Sequence, residues 1–294
     1  MKFLKPDYKN ISFHGRWEKT DKGMVGHWVR PYFEFKFTGT QFTINTEGAN
    51  SYRVVIDNDE YSANGAGADV TRFFKEKTTV NVKVKINNDT GFPFILKGIT
   101  HDGVIQPLPS KRKHNCLFIG DSLTHDANSH SAVIPNMFDY DYTVVAQGGL
   151  ALCNGRGYCT VPAPEYRTDQ TRYGMESAFY FFTAPSEKID IVPYDFKLSE
   201  DYDMVFLKYG TNDRLINEEA LPEFKEKYYK LVKEVHELYP KADFYLLLPA
   251  ADHETGLRLK TIEEAALKAC EISPKIKYIS SRGWDIEIGA DKVH

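Results

Sequence analysis

Long apolar runs are missing from this sequence: nowhere do eighteen apolar residues follow one another, and the start, MKFLKPDYKN, carries no apolar h-region. Neither a membrane-spanning helix nor a secretory signal is expected. As written the chain reads as cytoplasmic, and as secreted if a leader has been trimmed away. Cysteine is scarce too. Cys116, Cys153, Cys159 and Cys270 are too few and too irregular for a disulfide framework, and no Cys-x-x-Cys pair suggests zinc. Reduced thiols are expected, with Cys153 and Cys159 as the pair that an oxidising compartment could join. A charge excess is also absent, since 37 Lys and Arg stand against 41 Asp and Glu. Without a basic stripe for phosphates, a nucleic-acid partner is not expected, and small neutral or polar ligands are favoured.

What is present is enough for two modest cores: 294 residues, 42% of them hydrophobic. The first hundred or so residues read as all-β. Residues 79–86 alternate strictly, and the runs PYFEFKF, QFTINT and YRVVID are short, aromatic or β-branched, and punctuated by Gly, Asn and Asp. A β-sandwich or jelly roll over 1–108 is expected. After Pro107-Leu108-Pro109 and the basic run Lys111-Arg112-Lys113 the pattern changes. Residues 116–119, 142–145, 204–207 and 244–248 are nearly continuous apolar runs, as in strands buried on both faces. Leu221, Phe224, Tyr228, Leu231, Val235 and Leu238 recur at helical spacing, as do Ile262, Ala265, Ala266, Ala269 and Ile272. This alternation predicts an α/β/α domain with a parallel sheet over 109–294, its ligands at the carboxyl ends of the strands. Between about 152 and 199 the chain is rich in Tyr, Phe, Pro and Gly without clear period, too long for a plain connection.

Three polar motifs occur in fixed order: Gly120-Asp121-Ser122-Leu123-Thr124, Gly210-Thr211-Asn212-Asp213 and Asp291-Lys292-Val293-His294. The first two follow predicted strands. A serine hydroxyl is a poor nucleophile until a base takes its proton. Asp291-x-x-His294 supplies one, because three residues of separation let the carboxylate reach Nδ1 and leave Nε2 for Ser122. Candidate oxyanion donors are the Ser122 N–H, a glycine N–H from Gly148 and Gly149, and the Asn212 amide. Each motif alone is as ordinary as a turn or a helix cap, and Asp-x-x-His at a chain end is commonly a solvated tail. Their order, and the predicted strands before Ser122, Gly148-Gly149 and Asn212, argue for a site. His253 and His125 compete with His294 for the role of base, the first after a strand and the second three residues beyond Ser122.

On these residues the stretch from about Asn115 to His294 resembles the SGNH, or GDSL, hydrolases. The resemblance makes Ser122 the nucleophile, Gly149 rather than Gly148 the second oxyanion donor, Asn212 the third, and Asp291 and His294 the final pair. No Gly-x-Ser-x-Gly is present, which argues against the other common serine-hydrolase elbow. HGRW followed by RPYFEFKFTGTQFTINTEG and YRVVIDNDE is similar to the jelly-roll domain preceding the catalytic domain in carbohydrate esterase family 2. That likeness implies removal of acetyl groups from acetylated xylan, mannan or derived oligosaccharides, with no metal or organic cofactor. The family normally continues past its histidine with proline and a helix, where this sequence ends on His294. Trp284 and the tyrosines of the 152–199 stretch are candidates for stacking on a sugar, with core packing the commoner fate of such rings. The rivals are a lipase- or thioesterase-like hydrolase and a carbohydrate-binding protein without turnover. The sequence leaves the oligomeric state open.

Overall fold

The computed structural model describes residues 1–48, 51–57, 59–63, 68–87, 93–108, 112–156, 173–186, 190–213, 220–249 and 257–282. The chain divides into two compact units, Met1–Arg112 with Phe182–Ser199, and Lys113–Phe181 with Glu200–His294.

The first unit is antiparallel. Its strands are β1 (Lys2–Leu4), β2 (Ser12–Thr20), β3 (Gly23–Glu47), β4 (Ser51–Ile56), β5 (Asp59–Ala63), β6 (Val70–Asn87), β7 (Phe94–His101) and β8 (Val104–Pro107). The long β3 pairs with β2, β6, β7 and β8, while β4 joins β5 to β6. The expected alternation in β6 has a physical cause: Val80, Val82, Val84 and Ile86 are buried in the core, each on the same side of the pleat. They meet Phe33, Phe35, Phe37 and Phe42 there. Edge-on ring pairs such as Trp17 with Phe33 and Phe35 with Phe42, each at 5.7 Å, fill the space.

The HGRW motif is spent on this packing. Gly15 has φ +94°, Trp17 enters the core, and the buried Arg16 guanidinium lies 4.2 Å from the Tyr194 ring centre. Tyr194 belongs to the segment that joins this unit from the middle of the aperiodic stretch. Arg112, from the basic run, makes a two-pronged ion pair with the buried Glu34 at 2.8 and 3.1 Å. That residue is therefore structural, since a buried carboxylate requires such a partner.

The second unit is a parallel sheet in the order β13 (Ile276–Ile279), β12 (Asp243–Leu247), β11 (Met204–Lys208), β9 (Asn115–Gly120), β10 (Asp141–Ala146). Its helices are α1 (Ser122–His125), α2 (His130–Phe138), α3 (Met175–Ala178), α4 (Leu221–Leu238) and α5 (Leu257–Cys270). Phe118, Phe206 and Tyr245 are partners across three strands and stack at 4.9 and 5.0 Å, with His130 of α2 against Phe118. Phe244 points the other way and meets His236 of α4. The sheet therefore carries helices on both faces, and its strands β9, β10 and β11 are buried along most of their length for that reason. Cys116, Cys153 and Cys270 are free thiols, and burial pushes the Cys116 thiol up to about 12; Cys159 lies outside the described residues. The aperiodic stretch contributes α3 and a 3₁₀ turn at Phe196–Leu198. No helix among the described residues is long and apolar enough to cross a membrane.

Candidate active site

Three adjacent strands end in register, Gly120 beside Ala146 on one side and beside Lys208 on the other. Ser122 lies two residues beyond β9, Gly149 three beyond β10 and Asn212 four beyond β11. Strand order, not chain order, brings them to one rim, with the serine strand in the middle.

The turn into Ser122 is locally dictated. The Gly120 carbonyl accepts the Tyr209 hydroxyl at 2.6 Å and the Gln147 N–H at 3.3 Å, which fixes the strand end from both neighbours. A Cβ on Gly120 would stand 2.0 Å from Thr124 Oγ1, so only glycine lets α1 fold back over the strand. Asp121 caps that helix by accepting the Leu123 N–H at 3.0 Å. Its carboxyl is fully buried, and burial pushes its pKa up against the opposing pull of Lys208 and of the Leu123 N–H. Lys208 is held down by burial and supported by Asp121. Ser122 is left as the first helical residue, with no hydrogen-bond acceptor for its N–H among the described residues.

After β10, the Leu150 N–H donates to the Gln147 carbonyl at 3.2 Å and closes a four-residue turn. Gly149 occupies its third position with φ +75°, a conformation glycine adopts at little cost. Gly148 is engaged differently, because its N–H donates to Nδ1 of His125 at 3.2 Å, and a Cβ built on it would lie 3.9 Å from Ser122 Cβ. The Gly149 N–H has no acceptor among the described residues.

Asn212 and Asp213 grip the continuation of that turn. Asn212 Nδ2 donates to the Leu150 carbonyl at 3.1 Å, which leaves its other amide hydrogen without an acceptor among the described residues. The fully buried Asp213 carboxylate accepts the Leu152 N–H at 3.0 Å and the Cys153 N–H at 2.9 Å. Burial still dominates and pushes its pKa up to about 6, against the pull of those two donors. Sequence reading misses this grip, although the Asp directly after Asn212 is its visible signal. At Gly210, φ +115° and the nearness of Ile262 of α5 require glycine.

The structure thus gathers Ser122, Gly148, Gly149, Asn212 and His125 at one rim. Asp291, His294, Trp284 and the competing His253 lie outside the described residues.

Comparison with solved structures speaks to the fold. A family two carbohydrate esterase from Cellvibrio japonicus superposes with a TM-score of 0.76 at 16% identity, over 95% of this chain and 87% of that one. The chain has the fold of the family two carbohydrate esterases. A second member, from Corynascus thermopiles (Myceliophthora fergusii), with a carbohydrate binding domain, gives 0.73 at 22% identity, over 96% and 92%. An acetyl xylan esterase from the rumen bacterium Butyrivibrio proteoclasticus gives 0.70 at 16%, over 95% and 88%. Neither a protein-family model nor a curated protein matches the sequence.

Proposed function

We propose that this protein is a serine esterase that removes O-acetyl groups from carbohydrate through an acyl-serine intermediate. The observation that carries the reading is the set of three N–H groups, on Ser122, Gly149 and Asn212, left without acceptors among the described residues at the ends of three adjacent strands. Asn212 is buried, where donors are rarely left idle, and the half-buried Ser122 and Gly149 open beside it on the same rim. Their natural partner is the oxyanion of a tetrahedral ester intermediate.

In this reading Ser122 Oγ attacks the acetyl carbonyl carbon as the His294 imidazole takes its proton. Asp291 holds the imidazole tautomer. The carbonyl electrons move onto oxygen, where the three donors meet them, each worth about 10²- to 10³-fold in rate. Collapse expels the sugar oxygen, which takes the proton back from His294. Water then attacks the acyl-serine by the same route and releases acetate. No metal or organic cofactor enters the scheme. Acetylated xylan, mannan or derived oligosaccharides are the proposed substrates, with Trp284 as a stacking platform for a sugar ring. The antiparallel unit is read as the jelly roll that accompanies such catalytic domains. The names of the similar structures, an acetyl xylan esterase among them, support the substrate class.

The test is acetate release from acetylated xylan and mannan oligosaccharides. The protein is expected to release acetate, and Ser122→Ala to lower the rate at least about 10³-fold with the circular dichroism spectrum unchanged. Binding of these glycans with no acetate release from either would overturn the reading. A preference for octanoyl over acetyl p-nitrophenyl esters would replace the sugar by an acyl chain as the recognised group.

A further inference from the structure

We propose that His125 is a positioning residue: by accepting the Gly148 N–H on Nδ1 it holds the glycine turn so that the Gly149 N–H faces the space beside Ser122. The proposal rests on the esterase reading and adds to it a residue that the three motifs do not contain.

Three observations carry it. First, the bond joins the helix of the nucleophile to the loop of the donor: His125 ends α1, which begins at Ser122, and Gly148 enters the turn that contains Gly149. Together with the Gln147 N–H on the Gly120 carbonyl, this contact ties nucleophile and donor directly to one another. Geometry of this kind matters because a donor helps only where the oxyanion forms, with heavy atoms about 2.7–3.1 Å apart. Second, sterics do not fix the turn at this point. A Cβ on Gly148 would meet only ordinary contacts at 3.8 and 3.9 Å, and two successive glycines have more backbone freedom than any other pair. Hydrogen bonds must therefore do what side chains cannot: those of Gln147 and Leu150 hold the ends of the turn, and that of His125 holds its middle. Third, the contact divides the labour between the glycines. With its N–H committed to His125, Gly148 is not the oxyanion donor; the next amide, that of Gly149, has no acceptor among the described residues.

The contact also fixes the chemistry of His125. A ring nitrogen that accepts an N–H carries no proton, so the neutral imidazole bears its hydrogen on Nε2. The Nδ1 lone pair is thereby occupied.

Two variants separate acceptance of this bond from mere packing. In His125→Asn the amide Oδ1 sits one bond beyond Cγ, as Nδ1 does, and keeps an acceptor in place; His125→Leu removes it and keeps the bulk. With p-nitrophenyl acetate, His125→Leu is expected to lower kcat about tenfold or more, part of the value of one oxyanion donor, with KM within about twofold. His125→Asn is expected to return to within about threefold of the parent. Unchanged kcat in His125→Leu, or an equal loss in both variants, would overturn the proposal. A second measurement needs neither turnover nor a folded Leu variant. In ¹⁵N-histidine-labelled protein, the resonance assigned by its absence from His125→Asn should show an unprotonated Nδ1 and a protonated Nε2 at alkaline pH. A protonated Nδ1 would overturn the proposal by itself. Absence of acetyl ester hydrolysis altogether would instead remove the esterase reading, and the tautomer would still decide the contact.

Discussion

The two ends of the parallel sheet are finished differently. At the amino end, neighbouring strands are tied to one another: the Asp141 N–H donates to the His114 carbonyl, Asp203 to Asn115, and Asp243 to Asp203, at 2.8–2.9 Å. The Asn115 side chain adds bonds to Glu200 and to the Asp201 carbonyl at 3.0 and 3.1 Å. At the carboxyl end the strand tips are just as firmly held, through Gly120, Gln147 and Tyr209, but three N–H groups beyond them have no acceptor among the described residues. One end is closed on itself and serves stability. The other holds its strand tips and leaves a few donors unsatisfied among the described residues, the arrangement that the proposed esterase chemistry needs.

That contrast predicts which substitutions cost rate and which cost stability. The largest effect is expected at the open end: Asn212→Ala should lower kcat about 10²- to 10³-fold, read by initial rates on an acetyl ester, with a far smaller change in the urea midpoint. A loss of stability that matched the loss of rate would erase the distinction between the ends.

Next comes Asp213. Its pKa rises from 3.8 to about 6 on folding. The folded state thus holds the proton more tightly, so the stabilisation is fully present below pH 3.8 and is lost as pH rises through about 6. Across that window the parent should lose up to about 3 kcal/mol that Asp213→Asn does not. Thermal midpoints measured for both proteins at several pH values check this, and parallel curves would refute it.

Gly120→Ala should cost about 1–3 kcal/mol by overpacking against Thr124, seen in chemical denaturation. A variant as stable as the parent would mean that α1 is not held against the strand as described. The smallest effect belongs to the closed end: Asn115→Ala should cost about 1 kcal/mol and leave kcat within about twofold. A large rate loss there would blur the two ends.

Much of this is legible in the amino-acid sequence, and the reason differs from place to place. The strands at 116–119 and 204–207 carry the unbroken apolar run, and the helix at Leu221–Leu238 the 3.6-residue period, that burial imposes, and they appear where those patterns put them. The placement of Ser122 and Asn212 beyond strand ends is legible because a glycine and a strand precede each of them. The contact between Gly148 and His125 is not. A hydrogen bond between a loop amide and a ring nitrogen 23 residues away leaves no periodic trace. Sequence presents His125 only as a rival base, since it shows which groups titrate and not which lone pair is already engaged. Nor does pattern reading place Phe182–Ser199 with the antiparallel unit. Its contacts there, Arg16 over the Tyr194 ring and His27 against Phe182, join residues far apart in the chain.

The central claim is that the hydroxyl of Ser122 is reactive. Treating the protein with a fluorophosphonate probe and mapping the adduct by peptide mass spectrometry tests it most directly. Stoichiometric labelling of Ser122 alone, abolished by Ser122→Ala, is expected. Labelling at a different serine, or none under conditions in which the protein releases acetate, would contradict it.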